Sequence, residues 1–376
     1  MTTLLSDDQI VDRVLMHAAN KTTDVGDRVW REPVENYRSL NRLNDETELV
    51  FRKSFTAFCP SAALPEAGSF IARDAAGRPV VVVRGTDGVV RAFQNVCRHR
   101  GMRLAQEQGR NNAFVCTYHG WTYDLQGCLR SVPHESGFPG LDKSQHGLAA
   151  LSVVERNGIV FVNQTGVDQS GEASRDELND LPELIDASWK LHKMATRESE
   201  ANWKIVLEGF LEGYHIRTTH AGTFYQYGFD NLNVIEHFGR NSRVTFPFRR
   251  IQKLEQVPAE KRRVLGYATF VYHLFPNALI TVLSNHINLI VLEPLGIDRT
   301  RLVTYTLVDG KDMAAALKDM EYTSAGGAED TAVVCAIQRG VTSNANQHFT
   351  FGRFEGAIVH FHQMLDRVLC ASSAAR

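Results

Sequence analysis

The stretch "CRHRGMRLAQEQGRNNAFVCTYHGW", Cys97 to Trp121, constrains the fold of this chain more than any other. It holds Cys97-x-His99 and, after sixteen intervening residues, Cys116-x-x-His119. Each half pairs one thiol with one imidazole. Soft thiolates and neutral imidazoles gathered from two loops make a metal centre, so the backbone must bring the two loops face to face. Zinc sites ordinarily take their cysteines from one turn and their histidines from another. Mixed pairs suit instead a two-iron cluster, in which one iron takes both sulfurs and the other both imidazoles. A structural zinc site is the competing reading.

The chain around this motif reads as sheet. From about 48 to 163, short apolar runs such as "GRPVVVVRG", "VVRAFQNVC" and "GIVFVNQ" alternate with the turn signals "DAAGRP", "GTDG" and "DLQG". That is the pattern of a small all-β unit carrying the metal motif in its loops. Residues 6–20 read as a helix begun by Ser6 and Gln9, with Ile10, Val11, Val14, Leu15 and Ala18 on one face. The polar stretch 164–180 reads as a linker. Beyond it, helices are expected over 181–193 and through "NWKIVLEGFLEGYHI". Strands are expected over 231–251, 266–275, 278–284, 287–293 and 301–309, and helices in "MAAALKDM", "EDTAVVCAIQRGV" and "EGAIVHFHQMLDRVL". Short connections make the second sheet antiparallel. The fold class is α+β.

Bulk properties remove several function classes. Of 376 residues, 43% are hydrophobic and 22% charged, which is globular. The net charge of −2 and the lack of any long basic block argue against nucleic acid and anionic membrane as partners. Six cysteines do not make a disulfide scaffold. The start "MTTLLSDDQIVDRVLMHAA" lacks the basic and apolar regions of a signal peptide, so a cytoplasmic protein is expected. No glycine-rich dinucleotide fingerprint occurs, so no bound flavin or NAD is expected.

A second constellation lies in "NWKIVLEGFLEGYHIRTTH": Glu212-x-x-His215-x-x-x-x-His220. On a helix, Glu212 and His215 share a face. His215 and His220 do not, and converge only if the helix breaks between them, where Thr218 and Thr219 are β-branched. With fourteen histidines in the chain, this pair alone would be weak grounds for a metal site.

Together the motifs resemble the Rieske non-haem iron oxygenases, the ring-hydroxylating oxygenase α-subunit family. The resemblance rests on Cys97-x-His99…Cys116-x-x-His119 followed by Gly120-Trp121, on "NWK…E-x-x-H-x4-H", and on the closing segment "GGAEDTAVVCAIQRG…EGAIVHFH". It implies a Rieske [2Fe–2S] domain over 48–163, held by Cys97, His99, Cys116 and His119. It implies a helix-grip catalytic domain over 164–376, an antiparallel sheet around a long helix, with residues 1–47 packed on it. By the same match His215, His220 and Asp330 would hold a mononuclear Fe(II). Glu329 is the alternative third ligand, otherwise read as an acid near a helix N-terminus.

The resemblance further implies a head-to-tail homotrimer, with or without a β-subunit. His119 of one chain would hydrogen-bond Glu212 of the next, and Glu208 is an alternative bridge. Electrons would come from a separate reductase, with or without a ferredoxin. The implied reaction is mono- or dioxygenation of a small aromatic or cyclic substrate with O2. Glu in place of the commoner Asp at the bridge resembles a subgroup that oxidises quaternary amines or betaines with C–N cleavage. Phe224, Tyr225, Tyr227, Phe275 and Asn277 are the candidate pocket residues. A redox or assembly protein that only binds a ligand is the remaining class, and the set His215, His220 and Asp330 weighs against it.

Overall fold

The four consecutive valines Val80–Val83 have no accessible surface. Successive side chains of a strand point to opposite faces, so such a run belongs to a strand covered on both sides. The computed structural model, which describes residues 4–165 and 178–374, places it so. Arg78–Arg84 lies inside a seven-stranded antiparallel sheet, paired with Ser69–Ala75 on one side and Val90–Gln94 on the other. Thr56–Pro60 and Glu107–Arg110 form the edges of that sheet. A second, small sheet joins Phe114–Val115, Thr122–Tyr123 and Leu129–Ser131. Both belong to the compact unit Phe51–Ser188. Its core gathers Phe70, Val81, Val83, Phe93, Phe114 and Trp121 with Cys97 and Cys116. Most of the polar stretch 164–180 lies outside the described residues.

The other compact unit combines Met1–Val50 with Trp189–Arg376. Its seven-stranded antiparallel sheet runs, in spatial order, Lys190–Ser199, Arg299–Val308, Ile287–Gly296, Ala278–Val282, Ala268–Leu274, Asn241–Pro247 and Val234–Phe238. The N-terminal helix Asp7–Asn20 begins as expected, the Ser6 N–H donating to Gln9 Oε1 at 3.0 Å. The strand Trp30–Pro33 pairs with His348–Phe351, tying the first residues of this unit to its last. Among the described residues no helix is long and apolar enough to cross a membrane.

Several expected elements differ. Residues 181–193 do not form a helix. The Asp186 carboxylate accepts the Ser188 N–H at 2.7 Å, a local turn that competes with helix. Lys190–Ser199 is then drawn into pairing with Arg299–Val308. The span 231–251 is a hairpin turned at Gly239, φ 56°, and followed by the 3-10 turns Arg249–Gln256. The expected helices at "MAAALKDM" and "EDTAVVCAIQRGV" are one helix, Met313–Val341. The two glycines between them do not break it, because Gly326 is a packing position: a Cβ there would overlap the ring of Phe224. Position 329 is therefore mid-helix and not near an N-terminus.

One buried group gives this unit a pH dependence. His273 is fully buried, and its only hydrogen-bond partner among the described residues is the Pro276 carbonyl, which accepts from Nε2 at 3.1 Å. Burial pushes its pKa down to about 4 despite that carbonyl. The unfolded imidazole takes up a proton near 6.5. Stability is thus complete above pH ~6.5 and falls as pH drops towards 4, at about 1.4 kcal/mol for each tenfold difference in proton affinity. We expect His273→Gln to show a smaller loss of thermal midpoint between pH 7 and pH 4.5 than the parent. Equal losses in the two proteins would refute the assignment.

Candidate metal centres

Cys97 and Cys116 open two loops built to one plan. In each, the cysteine N–H donates to the carbonyl five residues on, Met102 or Trp121, at 2.8 Å. The glycine four residues on, Gly101 or Gly120, donates back to the cysteine carbonyl at 3.0 and 2.8 Å. These glycines have φ of 80° and 73°, a backbone conformation that L side chains rarely adopt. Matched loops turn their thiols inward: Cys97 and Cys116 are each 2% exposed and form no disulfide. His99 is half-buried and His119 exposed, their ring centroids 4.7 Å apart. Trp121 stacks on His99 at 4.9 Å, and Tyr118 covers His119 at 3.7 Å. Burial, then the neighbouring His119 and Arg100, lowers the His99 pKa and favours the neutral ring that binds metal. Two buried thiols beside two outer imidazoles are the donor set a Rieske cluster requires.

Tyr123 joins this site without any signal in the sequence beyond a buried strand aromatic. Its Oη accepts the Arg98 N–H at 3.0 Å and lies 3.4 Å from Cys97 Sγ. Burial and the bond to Cys97 raise its pKa, so it stays a neutral donor.

The second constellation is assembled by a helix that stops early. The helix Trp203–Glu208 ends at Gly209, and "GFLEGYHI" does not continue it. Gly213 packs so closely on Asn233 that a Cβ would overlap its side-chain oxygen. Residues Ile216–Thr219 make a single helical turn, with His215 at its N-cap and His220 at its C-cap. Thr218 and Thr219 are thus inside the turn, and the chain departs from helix on either side of it, not between the histidines. The Glu212 carboxylate accepts the Tyr214 N–H and, at 3.1 Å, the His215 N–H, and it also bonds His215 Nδ1.

Asp330 arrives from the helix Met313–Val341. One of its oxygens lies 2.9 Å from His220 Nε2 and 3.5 Å from His215 Nε2. Donor atoms of His215, His220 and Asp330 all lie within 4.8 Å of one another. Burial opposes charging His215, but hydrogen bonds to Asp330 and Glu212 push its pKa up to about 10. Burial works to raise Asp330, and its bonds to His215 and His220 bring it below the usual carboxylate range. The site is therefore built to hold positive charge between two imidazoles and a carboxylate. With a metal ion in place of the protons on those rings, two imidazoles and one carboxylate would be the donor set of a non-haem iron centre.

The remaining candidates separate. Glu208 is 7% exposed and accepts from Tyr37 Oη at 2.7 Å and His362 Nε2 at 2.9 Å. Phe224 lies against His220, ring centroids 4.6 Å apart, and edge-on to Tyr322 at 5.4 Å. Tyr227 also meets Tyr322, at 5.5 Å. The sequence reading did not single out Tyr322. Tyr225 stacks with Arg249. Phe275 and Asn277 sit at the turn between Ala268–Leu274 and Ala278–Val282, where Asn277 Nδ2 donates to the Leu292 carbonyl at 2.7 Å. Glu329 is not a helix-end acid: it bonds His220 Nδ1 at 2.7 Å.

Comparison with known proteins gives these two sites a class. A Rieske [2Fe-2S] domain model matches residues 54–147, and the catalytic-domain model of the ring hydroxylating alpha subunit matches 186–371. The chain belongs to the Rieske non-haem iron oxygenases, in the family of ring-hydroxylating α-subunits. It is similar to the carnitine monooxygenase oxygenase subunit of Acinetobacter pittii, 34% identical over 206 residues, 52% of this chain and 54% of that one. It is as similar to the biphenyl 2,3-dioxygenase subunit alpha of Rhodococcus jostii, 34% over 212 residues, 52% of this chain and 44% of that one. These alignments span about half the length of either relative. The solved structure of a quaternary ammonium Rieske monooxygenase, described in terms of carnitine oxidation and inter-subunit electron transfer, has the same fold. The two superpose with a TM-score of 0.76 at 24% identity, over 98% of this chain and 100% of that one.

The packing around His220 is testable through Gly326. Alanine is the better helix former by about 1 kcal/mol, yet here its Cβ would overlap Phe224. We expect Gly326→Ala to destabilise the protein by roughly 1–3 kcal/mol, the usual cost of overpacking, as a lowered thermal midpoint. A raised midpoint would show that Phe224 is free to move.

Proposed function

We propose that this chain is the terminal oxygenase of a multi-component system that oxidises a quaternary ammonium substrate with O2. The convergence of His215, His220 and Asp330 carries the reading. When bound, the Rieske cluster supplies electrons singly and the mononuclear iron activates O2. Cys97, His99, Cys116 and His119 would hold the first; His215, His220 and Asp330 would hold the second. Glu212 keeps His215 Nδ1 engaged, which leaves Nε2 as the nitrogen for metal. In a head-to-tail trimer, exposed His119 of one chain would meet Glu212 of the next. A separate reductase, with or without a ferredoxin, would reduce the protein in the cytoplasm.

The choice of substrate class rests on rings. Tyr322 meets both Phe224 and Tyr227 edge-on, and Phe224 lies against His220. Aromatic faces attract quaternary ammonium groups. Among the described residues Tyr322 Oη is buried without a hydrogen-bond partner, a polar handle for the rest of such a molecule. The likeness to the carnitine monooxygenase subunit agrees with this reading. A second reading, hydroxylation of an aromatic substrate stacked on the same rings, is favoured by the equal identity to the biphenyl dioxygenase subunit.

Two experiments decide. Oxygen uptake by the full-length protein with a surrogate reductase should rise with quaternary amines such as betaines and not with aromatic acids; the reverse pattern selects the second reading. Glu212→Gln should keep cluster and iron in full yet lose nearly all substrate-dependent uptake. Undiminished turnover in that variant would remove Glu212 from the route between subunits.

A further inference from the structure

His220 is 1% exposed, and both its ring nitrogens are engaged by acids from the helix Met313–Val341. Asp330 faces Nε2; Glu329 Oε2 faces Nδ1 at 2.7 Å. The same Glu329 oxygen accepts the Thr223 hydroxyl at 2.6 Å. Thr223 is itself fixed to the histidine, its N–H donating to the His220 carbonyl at 3.0 Å. Glu329, Thr223 and His220 thus form a closed ring of contacts across 109 residues of sequence. An ionised carboxylate only accepts hydrogen bonds, so His220 Nδ1 donates to Glu329, and Nε2, on the side of Asp330, is the nitrogen left for a metal.

His215 has an equivalent partner in Glu212, but that contact is local, three residues apart. The His220 contact is the one that joins two separate elements. We propose that Glu329, oriented by Thr223, is the positioning residue for His220, and that this pair sets how tightly the catalytic unit holds its mononuclear iron. The inference rests on the reading of His215, His220 and Asp330 as the iron ligands. A carboxylate behind a metal-bound imidazole fixes the ring's tautomer and rotation and raises its basicity. Loss of such a partner weakens metal binding without removing a ligand.

The test is an anaerobic Fe(II) titration of the full-length protein after the mononuclear site has been stripped with a chelator, with cluster absorbance followed in parallel. Glu329→Ala should weaken Fe(II) binding by roughly 10–100-fold, the usual effect of losing such a partner. Glu329→Gln, whose side-chain oxygen can still accept from Nδ1, should recover part of that loss. Thr223→Val should weaken binding less than Glu329→Ala, and cluster absorbance should stay at the parent level throughout. Should Glu329→Ala fail to fold, Glu329→Gln and Thr223→Val carry the same comparison. Fe(II) binding in all these variants within about twofold of the parent would overturn the proposal. If His220→Ala also bound Fe(II) as tightly as the parent, the ligand assignment itself would fall.

Discussion

Two consecutive acids grip one imidazole, and much of the catalytic unit is arranged to make that possible. Neighbouring residues on a helix project about 100° apart, so Glu329 and Asp330 reach opposite nitrogens of His220 only when the helix is turned correctly about its axis. Contacts along its length set that turn. Asp319 accepts from His286 Nδ1 at 3.2 Å near one end, Gly326 admits the Phe224 ring in the middle, and Gln338 accepts the Asn202 N–H at 2.8 Å near the other. Val334 adds a buried apolar contact between the last two.

Asn202-Trp203-Lys204 secures the opposite wall. Asn202 caps its helix by accepting the Lys204 N–H at 3.0 Å, and its amide donates to the Tyr37 and Ile297 carbonyls. Lys204 Nζ meets Glu46 at 2.7 Å with both side chains almost wholly buried, and Trp203 Nε1 donates to the same carboxylate at 2.8 Å. Removing one partner of such a pair typically costs about 3–5 kcal/mol, because the other is left charged and buried. The N-terminal residues are thereby built into the catalytic unit, and the turn that presents His215 follows directly from a helix anchored in this way.

The candidate metal ligands stood out in the sequence because such sites depend on residue type at fixed spacing. Cys97, His99, Cys116 and His119 announced a mixed site, and the two matched loops that present them follow from glycines four residues after each cysteine. Most of the sheet strands were also readable, since alternation and short turns are local. What escaped was decided at a distance. Glu329 looked like a helix-end acid because "SAGGAED" reads as a break; only Phe224, about a hundred residues earlier, explains why glycine is tolerated there inside a helix. Residues 181–193 looked helical by composition, but the Asp186 turn and the long partner strand outcompeted that propensity. Tyr123 and Tyr322 were invisible, because a buried aromatic at a chemical site has the same sequence signature as one that only fills space.

The helix Met313–Val341 can also be considered as a length standard. At about 1.5 Å per residue, its 29 residues set fixed intervals between the contact at Asp319, the acids at 329–330 and the contact at Gln338. Adding or deleting one residue between these marks would rotate everything beyond it by about 100° and withdraw either the acids or the anchors. Loops elsewhere can lengthen at little cost. This segment should therefore resist insertions and deletions while individual side chains on its outer face drift, so that over evolutionary time its residue count is held more firmly than its composition.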